Sequence, residues 1–226
     1  MKRIFGVTAL PVIVTALAVA ILAIAAPSAG RADDSAPAAP AAAASTSTDR
    51  AAFRDGMRKL WEDHVTWTRL YIVSAAAGLP DTQATADRLL RNQADLGGAI
   101  VPYYGKAAGD RLTTLLRPHI LIAAELVTAA KAGDSAGVEA ASKRWYTNSD
   151  EIADFLSGAN PDNWPRATLR AEMRHHLDLT LVQAKARLRG DWAADIAAYD
   201  TVHHHILQMA DVLSKGIVSQ FPKRFN

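Results

Sequence analysis

The sequence predicts an all-α domain, a six-helix bundle made of three diverged helical hairpins. From Arg50 onward, apolar residues recur three and four positions apart, which is the spacing that places them on one face of a helix. Glycine and proline fall mainly at breaks between these apolar segments, and no alternating run of β-branched residues indicates a strand. The fold class therefore follows from the periodicity and from the placement of the breaks.

The apolar periodicity predicts six helices, near residues 51–77, 81–101, 107–131, 135–158, 165–189 and 191–218. Three breaks pair a glycine that can adopt a left-handed conformation with an aspartate that can cap the next helix: Gly78 with Asp81, Gly133 with Asp134, and Gly190 with Asp191. Two longer breaks, at residues 102–105 and 160–165, contain proline and separate the predicted hairpins.

The breaks also reveal a repeat in the sequence. A histidine lies 14 residues before the break glycine in the first, third and fifth predicted helices: His64 before Gly78, His119 before Gly133, and His176 before Gly190. Residues 153–157 and 210–214 share the pattern Ala-Asp-x-Leu-Ser at equal distances from two of these glycines. One hairpin cannot bury its apolar face alone, so the three copies are expected to pack side by side.

Three aspartates recur at matching positions of the second helix of each hairpin: Asp95, Asp154 and Asp211. On helical wheels the last two lie off the main apolar stripe. This position favours helix–helix hydrogen bonds or a place at the rim of the bundle over a role as metal ligands.

Composition excludes several classes of site. The 226-residue chain has no cysteine, which excludes disulfides, thiolate zinc sites, iron–sulfur clusters and cysteine nucleophiles. It has seven histidines, so a metal ion would be bound by imidazole, carboxylate or carbonyl groups. The net charge of +2 becomes near neutral, with 22 basic and 23 acidic residues, once residues 1–32 are set aside. Such a balance gives no electrostatic reason to expect nucleic-acid binding.

Residues 1–32 have the pattern of a signal peptide or an N-terminal anchor. Lys2 and Arg3 precede an apolar run over residues 4–26, and small residues suit cleavage after Ala32. The apolar run is also long enough to span a bilayer when it is not cleaved. The sequence therefore predicts export to the periplasm or the extracellular space, with membrane contact only through this segment.

The residues that follow are predicted to be a disordered linker and then the folded domain. Residues 33–49 contain repeated Ala, Pro, Ser and Thr and no large apolar side chain, so burial cannot offset the entropy lost on ordering them. Residues 50–226 are the predicted helical domain.

Four histidines fall on or beside the apolar stripes of their helices: His64, His119, His176 and His203. The two histidines that follow His203 are predicted to point progressively away from the core. Helical bundles build metal sites from inward side chains on facing helices, and neutral imidazole is a common transition-metal ligand. We therefore predict a site for zinc, copper, iron or manganese formed by these four residues.

Two alternatives remain open. A buried histidine is more often hydrogen-bonded to a neighbour than bound to metal, and the chain would then be a non-enzymatic interaction module of the cell envelope with an unidentified partner. The second alternative is an acid–base enzyme with a His–Asp pair. No catalytic residue is assigned, because the sequence contains no serine nucleophile elbow, phosphate-binding glycine loop or dinucleotide motif.

Four stretches of the chain resemble a group of bacterial secreted helical proteins without a firm biochemical function: residues 60–69, 92–105, 153–161 and 210–214. The resemblance extends over about residues 52–225 and implies a secreted, all-helical protein. Some members carry a glycosyltransferase label, but a sugar-nucleotide transferase normally needs an α/β nucleotide-binding sheet, and this sequence shows no strand–helix alternation. The resemblance therefore transfers no catalytic residue.

Overall fold

In a computed structural model of the chain, the described residues are 41–225, with side-chain environments from residue 49 onward. They form six α-helices and one short 3-10 helix, and this range contains no β-strand. The helices are α1 (Ala41–Ala77), α2 (Thr82–Tyr104), α3 (Lys106–Ala132), α4 (Ser135–Ala159), α5 (Arg166–Leu188) and α6 (Trp192–Gln220), followed by the 3-10 helix Pro222–Phe225. The predicted all-α fold with six helices is confirmed for the described residues.

The first helix begins earlier than predicted. α1 starts at Ala41, inside the segment predicted to be a disordered linker. Residues 41–44 are four alanines, and alanine has the highest helix propensity of any residue, so the helix extends toward the N-terminus. The predicted signal peptide or anchor, residues 1–32, and residues 33–40 of the linker lie outside the described residues.

The glycine breaks have the predicted backbone conformation. The angle φ is positive at all three: 67° at Gly78, 72° at Gly133 and 74° at Gly190. Two of the three predicted aspartate caps form, since Asp134 accepts from the Gly137 N–H at 2.9 Å and Asp191 accepts from the Ala194 N–H at 3.1 Å. Asp81 makes no side-chain cap hydrogen bond, so this prediction is wrong.

The end of α2 is displaced from its predicted position. The helix continues through Pro102 and ends at Tyr104. Proline lacks an N–H group, so Pro102 removes one intrahelical hydrogen bond, and the helix ends two residues later. Gly105, with φ of 83°, terminates the helix, and its N–H donates to the Val101 carbonyl at 2.9 Å.

The six helices form a closed ring. Each packs against the helix before it and the helix after it, and α6 packs back against α1. The odd-numbered helices α1, α3 and α5 also contact one another, so they form the inner side of the ring. One of these inner helices, α3, is long and apolar enough to cross a membrane by those two criteria alone. Because α2 packs against both α1 and α3, the packing does not divide the bundle into three pairs, and the three-hairpin repeat stays a prediction.

The seam between α1 and α6 closes the ring and carries a row of polar pairs. The pairs are Arg58 with Asp211 (2.6 Å), Glu62 with His203 (3.1 Å), Thr66 with Tyr199 (3.2 Å) and Arg69 with Asp195 (2.8 Å). Residue numbers rise along α1 as they fall along α6, so the two helices are antiparallel. Asp195 is fully buried, and Arg187 of α5 also approaches its carboxylate, at 3.5 Å. We name this row of pairs the α1–α6 seam.

The core inside the ring has apolar layers on either side of three histidines. Seven residues before His64, His119 and His176 lie the buried side chains Met57, Leu112 and Leu169. Eight residues after them lie Ile72, Val127 and Ala184, which pack together in a separate cluster. The inner helices therefore place the three histidines between two apolar layers, and this is the position of the candidate site.

Candidate functional site

His64, His119 and His176 line one cavity between the inner helices. They come from α1, α3 and α5, and all three side chains are buried. The ring centroids of His64 and His176 lie 5.9 Å apart. The predicted inward orientation of these three histidines is observed, and the fold brings them together.

The cavity is small and mostly apolar. Its volume is about 30 Å³, which is room for one or two water molecules and too little for an organic ligand. Much of the lining is aliphatic, including Ile72, Leu126 and Val127. The hydroxyls of Thr68 and Thr180 donate to the carbonyls four residues earlier on their own helices, at 2.7 Å and 2.8 Å. The imidazole nitrogens are therefore the groups best placed to bind an ion or a water molecule in the cavity.

A hydrogen-bond chain fixes the tautomer of His119. Asn148 Nδ2 on α4 donates to the Leu115 carbonyl at 3.1 Å, so the other amide atom, Oδ1, must face the imidazole. His119 Nδ1 lies 3.0 Å from this oxygen and donates its proton to it. The other ring nitrogen, Nε2, then carries a lone pair that can bind a metal ion.

The ring of His64 is held in a similar way from α2. Asn92 Nδ2 donates to the Leu60 carbonyl at 2.9 Å, which is the carbonyl four residues before His64. Gln93 Nε2, which donates to the Leu89 carbonyl, lies 3.4 Å from His64 Nδ1. The Nδ1 edge of the ring therefore faces a donor amide of α2, so in this arrangement Nδ1 is the acceptor and Nε2 carries the ring proton.

The third histidine has a different neighbour. His176 Nδ1 is buried and has no hydrogen-bond partner among the described residues. His205 of α6 stacks beside it, with ring centroids 6.1 Å apart and an interplanar angle of 19°. His205 Nε2 lies 3.3 Å from the Glu172 carbonyl oxygen, which is four residues before His176. Asn92 of α2 and Asn148 of α4 also hydrogen-bond the carbonyl four residues before the neighbouring central histidine. In α6, His205 occupies the equivalent place.

The sequence prediction missed His205, although a signal for it was present. His205 lies 15 residues after Gly190, and Asn148 lies 15 residues after Gly133. Aligning the hairpins on their glycines would have placed His205 beside the central histidine, whereas the helical wheel directed it away from the core.

His203 does not join the site, and the prediction that it faces the core is wrong. Its side chain is 33% exposed, and its Nε2 lies 3.1 Å from Glu62 Oε1 in the α1–α6 seam. Ile196, seven residues before His203 on the same side of α6, is 55% exposed, whereas the adjacent Asp195 is buried and its carboxylate pairs with an arginine. The buried face of α6 is therefore displaced from the predicted one, and it contains His205 instead.

All three central imidazoles are neutral at pH 7. Burial lowers the pKa of His64 to about 3 and that of His119 to about 4, and it lowers the pKa of His176 well below its usual value. Neighbouring imidazoles lower the pKa of His64 and His176 further, because protonated rings would repel one another. The bonds to asparagine partly oppose the shifts of His64 and His119. Neutral imidazole is the form that binds a metal ion.

The recurring aspartates lie at helix–helix contacts or at the surface. Asp154 accepts hydrogen bonds from Arg166 and from Arg170 of α5, the latter at 2.6 Å. The Asp211 carboxylate pairs with Arg58 in the α1–α6 seam, and Asp95 is exposed. None of the three lines the cavity between the inner helices.

The described side chains do not form a preassembled coordination sphere. Between residues 41 and 225, no group of three or more His, Asp or Glu side chains already lies close enough together to hold a metal ion. Binding an ion would therefore require the imidazole rings to move toward it.

Comparisons with known proteins identify no relative. No family model, no curated protein and no solved structure matches this chain. The resemblance to secreted helical proteins therefore stays a prediction, and the function is argued from the geometry of the site.

Proposed function

We propose that this chain is an exported helical-bundle protein that binds one transition-metal ion through His64, His119 and His176. The observation that carries the proposal is the convergence of three neutral imidazoles, one from each inner helix, on a cavity of about 30 Å³. His203 is not part of the proposed ligand set, because it lies in the α1–α6 seam.

The hydrogen bonds around the rings support a role as ligands. In metal sites, a ligating histidine usually donates its second N–H to an oxygen, which fixes the tautomer and the ring orientation. The bond from His119 to Asn148 has this form. His64 differs, because the group beside its Nδ1 is the donor amide of Gln93, so this ring would have to place its proton on Nδ1 for Nε2 to bind an ion. One of the three proposed ligands, His119, therefore has the tautomer that metal binding needs before any ion binds.

The spacing of one pair of rings, His64 and His176, is close to that of two coordinated imidazoles. With metal–nitrogen distances of about 2.0–2.1 Å, two imidazoles in a tetrahedral site have centroids roughly 5 Å apart. The centroids of His64 and His176 are 5.9 Å apart. A movement of about 1 Å would bring this pair onto one ion, which is within the reach of side-chain rotation.

The ligand chemistry narrows the choice of metal. Three nitrogen ligands suit zinc, copper or iron, whereas manganese prefers oxygen ligands. Three neutral imidazoles leave the charge of a divalent ion uncompensated in an apolar cavity, which is costly. A hydroxide in the fourth position would reduce that charge, and three protein ligands with one open position is also the arrangement of catalytic zinc sites.

Elemental analysis tests the proposal. The protein would be purified from an exporting host without an affinity His tag and compared with its His64→Ala and His119→Ala variants. The exposed His204 supplies a matched control, His204→Ala, on the outer surface of α6. We expect both cavity variants to hold one equivalent less of zinc, copper or iron than the unaltered protein and the control, with helicity checked by circular dichroism.

The opposite result would assign the histidines a structural role. A chain that holds no metal after reconstitution with zinc, copper, iron and manganese would contradict the proposal. The cell-envelope interaction module would then be the better interpretation, and capture of an envelope partner would be the next experiment.

A further inference from the structure

Two histidines and a carboxylate lie together at the surface, next to the buried His176. His175 and Glu172 belong to α5, and His205 belongs to α6. The ring centroids of His175 and His205 are 4.9 Å apart, with an interplanar angle of 82°. His205 Nδ1 lies 3.9 Å from Glu172 Oε2. His175 and Glu172 are exposed, whereas His205 is largely buried by the packing of α6.

The facing atoms of His205 and Glu172 are both hydrogen-bond acceptors. His205 Nε2 is directed at the Glu172 backbone carbonyl, which can only accept, so Nε2 carries the ring proton. In the neutral ring Nδ1 is then a lone pair, and it faces a carboxylate oxygen. Burial and the nearby His175 lower the pKa of His205 by more than Glu172 raises it, so a second proton on this ring is disfavoured. A cation other than a proton would bind both acceptors.

The remaining ligand is placed by helix geometry. Glu172 and His175 are three residues apart on α5, so their side chains lie on the same face of the helix. The nearby arginines of this helix do not compete for the carboxylate, since Arg170 and Arg174 pair with Asp154 and Asp150 of α4. Two imidazoles and one carboxylate form a ligand set that divalent transition metals bind, with positions left open to water.

We propose that Glu172, His175 and His205 form a second metal site, which binds a divalent transition-metal ion at the surface. His205 is held in place by its helix, and the two exposed side chains rotate to complete the site. The proposal does not depend on the central site, because it uses none of the residues that line the cavity.

Zinc titration of the full chain tests this site separately from the central one. The double variant His64→Ala/His119→Ala removes the proposed central ligands and leaves the surface residues in place. We expect it to bind one equivalent of zinc, with affinity reduced at least tenfold by adding Glu172→Gln or His205→Ala. Adding His204→Ala, which removes an adjacent exposed histidine, should leave the affinity unchanged.

Two results would overturn the surface site: a folded double variant that binds no zinc, or zinc binding that neither Glu172→Gln nor His205→Ala weakens. If the double variant does not fold, the exposed His175 provides the deciding variant in the otherwise unaltered chain. His175→Ala should lower the zinc stoichiometry by one equivalent, and an unchanged stoichiometry would overturn the proposal. The absence of the central metal site would give a different result, because His64→Ala would then leave the number of bound zinc ions unchanged.

Discussion

The three central histidines lie in two kinds of surroundings. His64 and His119 face amide side chains from α2 and α4, which hydrogen-bond the Nδ1 edge of each ring. His176 instead faces the imidazole of His205, and its own Nδ1 is buried without a partner among the described residues. The same place beside an inner helix is therefore filled twice by a group that cannot titrate and once by a group that can. The first two rings are fixed by the fold, whereas the third is connected to side chains at the surface.

Acidification is expected to have the largest effect, because it acts on both kinds of surroundings together. The pKa of an unperturbed histidine is 6.5, and those of His64 and His119 are about 3 and about 4. The unfolded chain therefore binds more protons than the folded one, so stability is complete above pH 6.5 and falls as the pH is lowered. At pH 5 we expect a loss of about 2 kcal/mol for each of these two residues, and His176 adds to the loss. Urea unfolding at pH 7 and pH 5 measures this difference.

The variant His119→Gln is the control for this pH dependence. It keeps a polar side chain beside Asn148 and removes one titrating ring, so the loss of stability on acidification should become smaller by about 2 kcal/mol. A free energy of unfolding that is the same at pH 7 and pH 5 would show that the buried rings do not set the acid stability.

Breaking one amide contact is expected to have the next largest effect. Asn148→Ala removes the partner of His119 Nδ1 and of the Leu115 carbonyl, both of which are buried. Leaving these groups unpaired should cost about 3 kcal/mol of unfolding free energy, measured by urea denaturation. The adjacent Thr147 is exposed and bonds only a carbonyl of its own helix, so Thr147→Ala should cost less than about 0.5 kcal/mol. Equal losses in the two variants would contradict the role assigned to the asparagine.

Replacing His205 beside His176 with an asparagine, the residue found beside His64 and His119, should have the smallest effect on stability. His205→Asn places an amide where α2 and α4 have one, and it can bond both the Glu172 carbonyl and the unpaired His176 Nδ1. We expect the free energy of unfolding, derived from thermal melting, to change by less than about 1 kcal/mol. Zinc measured on the same sample should fall by the surface equivalent only. A destabilisation as large as that of Asn148→Ala would show that the two positions are not equivalent.

The parts of this fold that depend on local chemistry were predictable from the sequence. Helix boundaries followed from the apolar spacing and from glycines that take positive φ, as at Gly133. The inward direction of His64 and His119 followed from their place on apolar stripes. These predictions succeed because neighbouring residues of one helix decide them.

The misassigned residues depend on contacts between distant parts of the chain. The carboxylate of Asp195 is buried because Arg69, 126 residues away, pairs with it, and no property of α6 alone indicates this. The buried face of α6 includes Asp195 and His205, whereas His203 lies at its edge. The spacing of His205 from Gly190 indicated the buried position correctly. The helical wheel of α6 gave the opposite prediction, so the two sequence patterns disagreed at this residue.

The α1–α6 seam has a consequence for the behaviour of a partly opened molecule. A ring of helices has one joint between its first and last members, and separation of that joint exposes the faces that had been in contact. Here those faces carry arginine, aspartate, glutamate and histidine side chains that water can solvate, as well as apolar ones. An opened ring would therefore expose fewer apolar groups to other copies of the chain than two purely apolar helix faces would. We expect it to reclose more often, and to aggregate less often, for that reason.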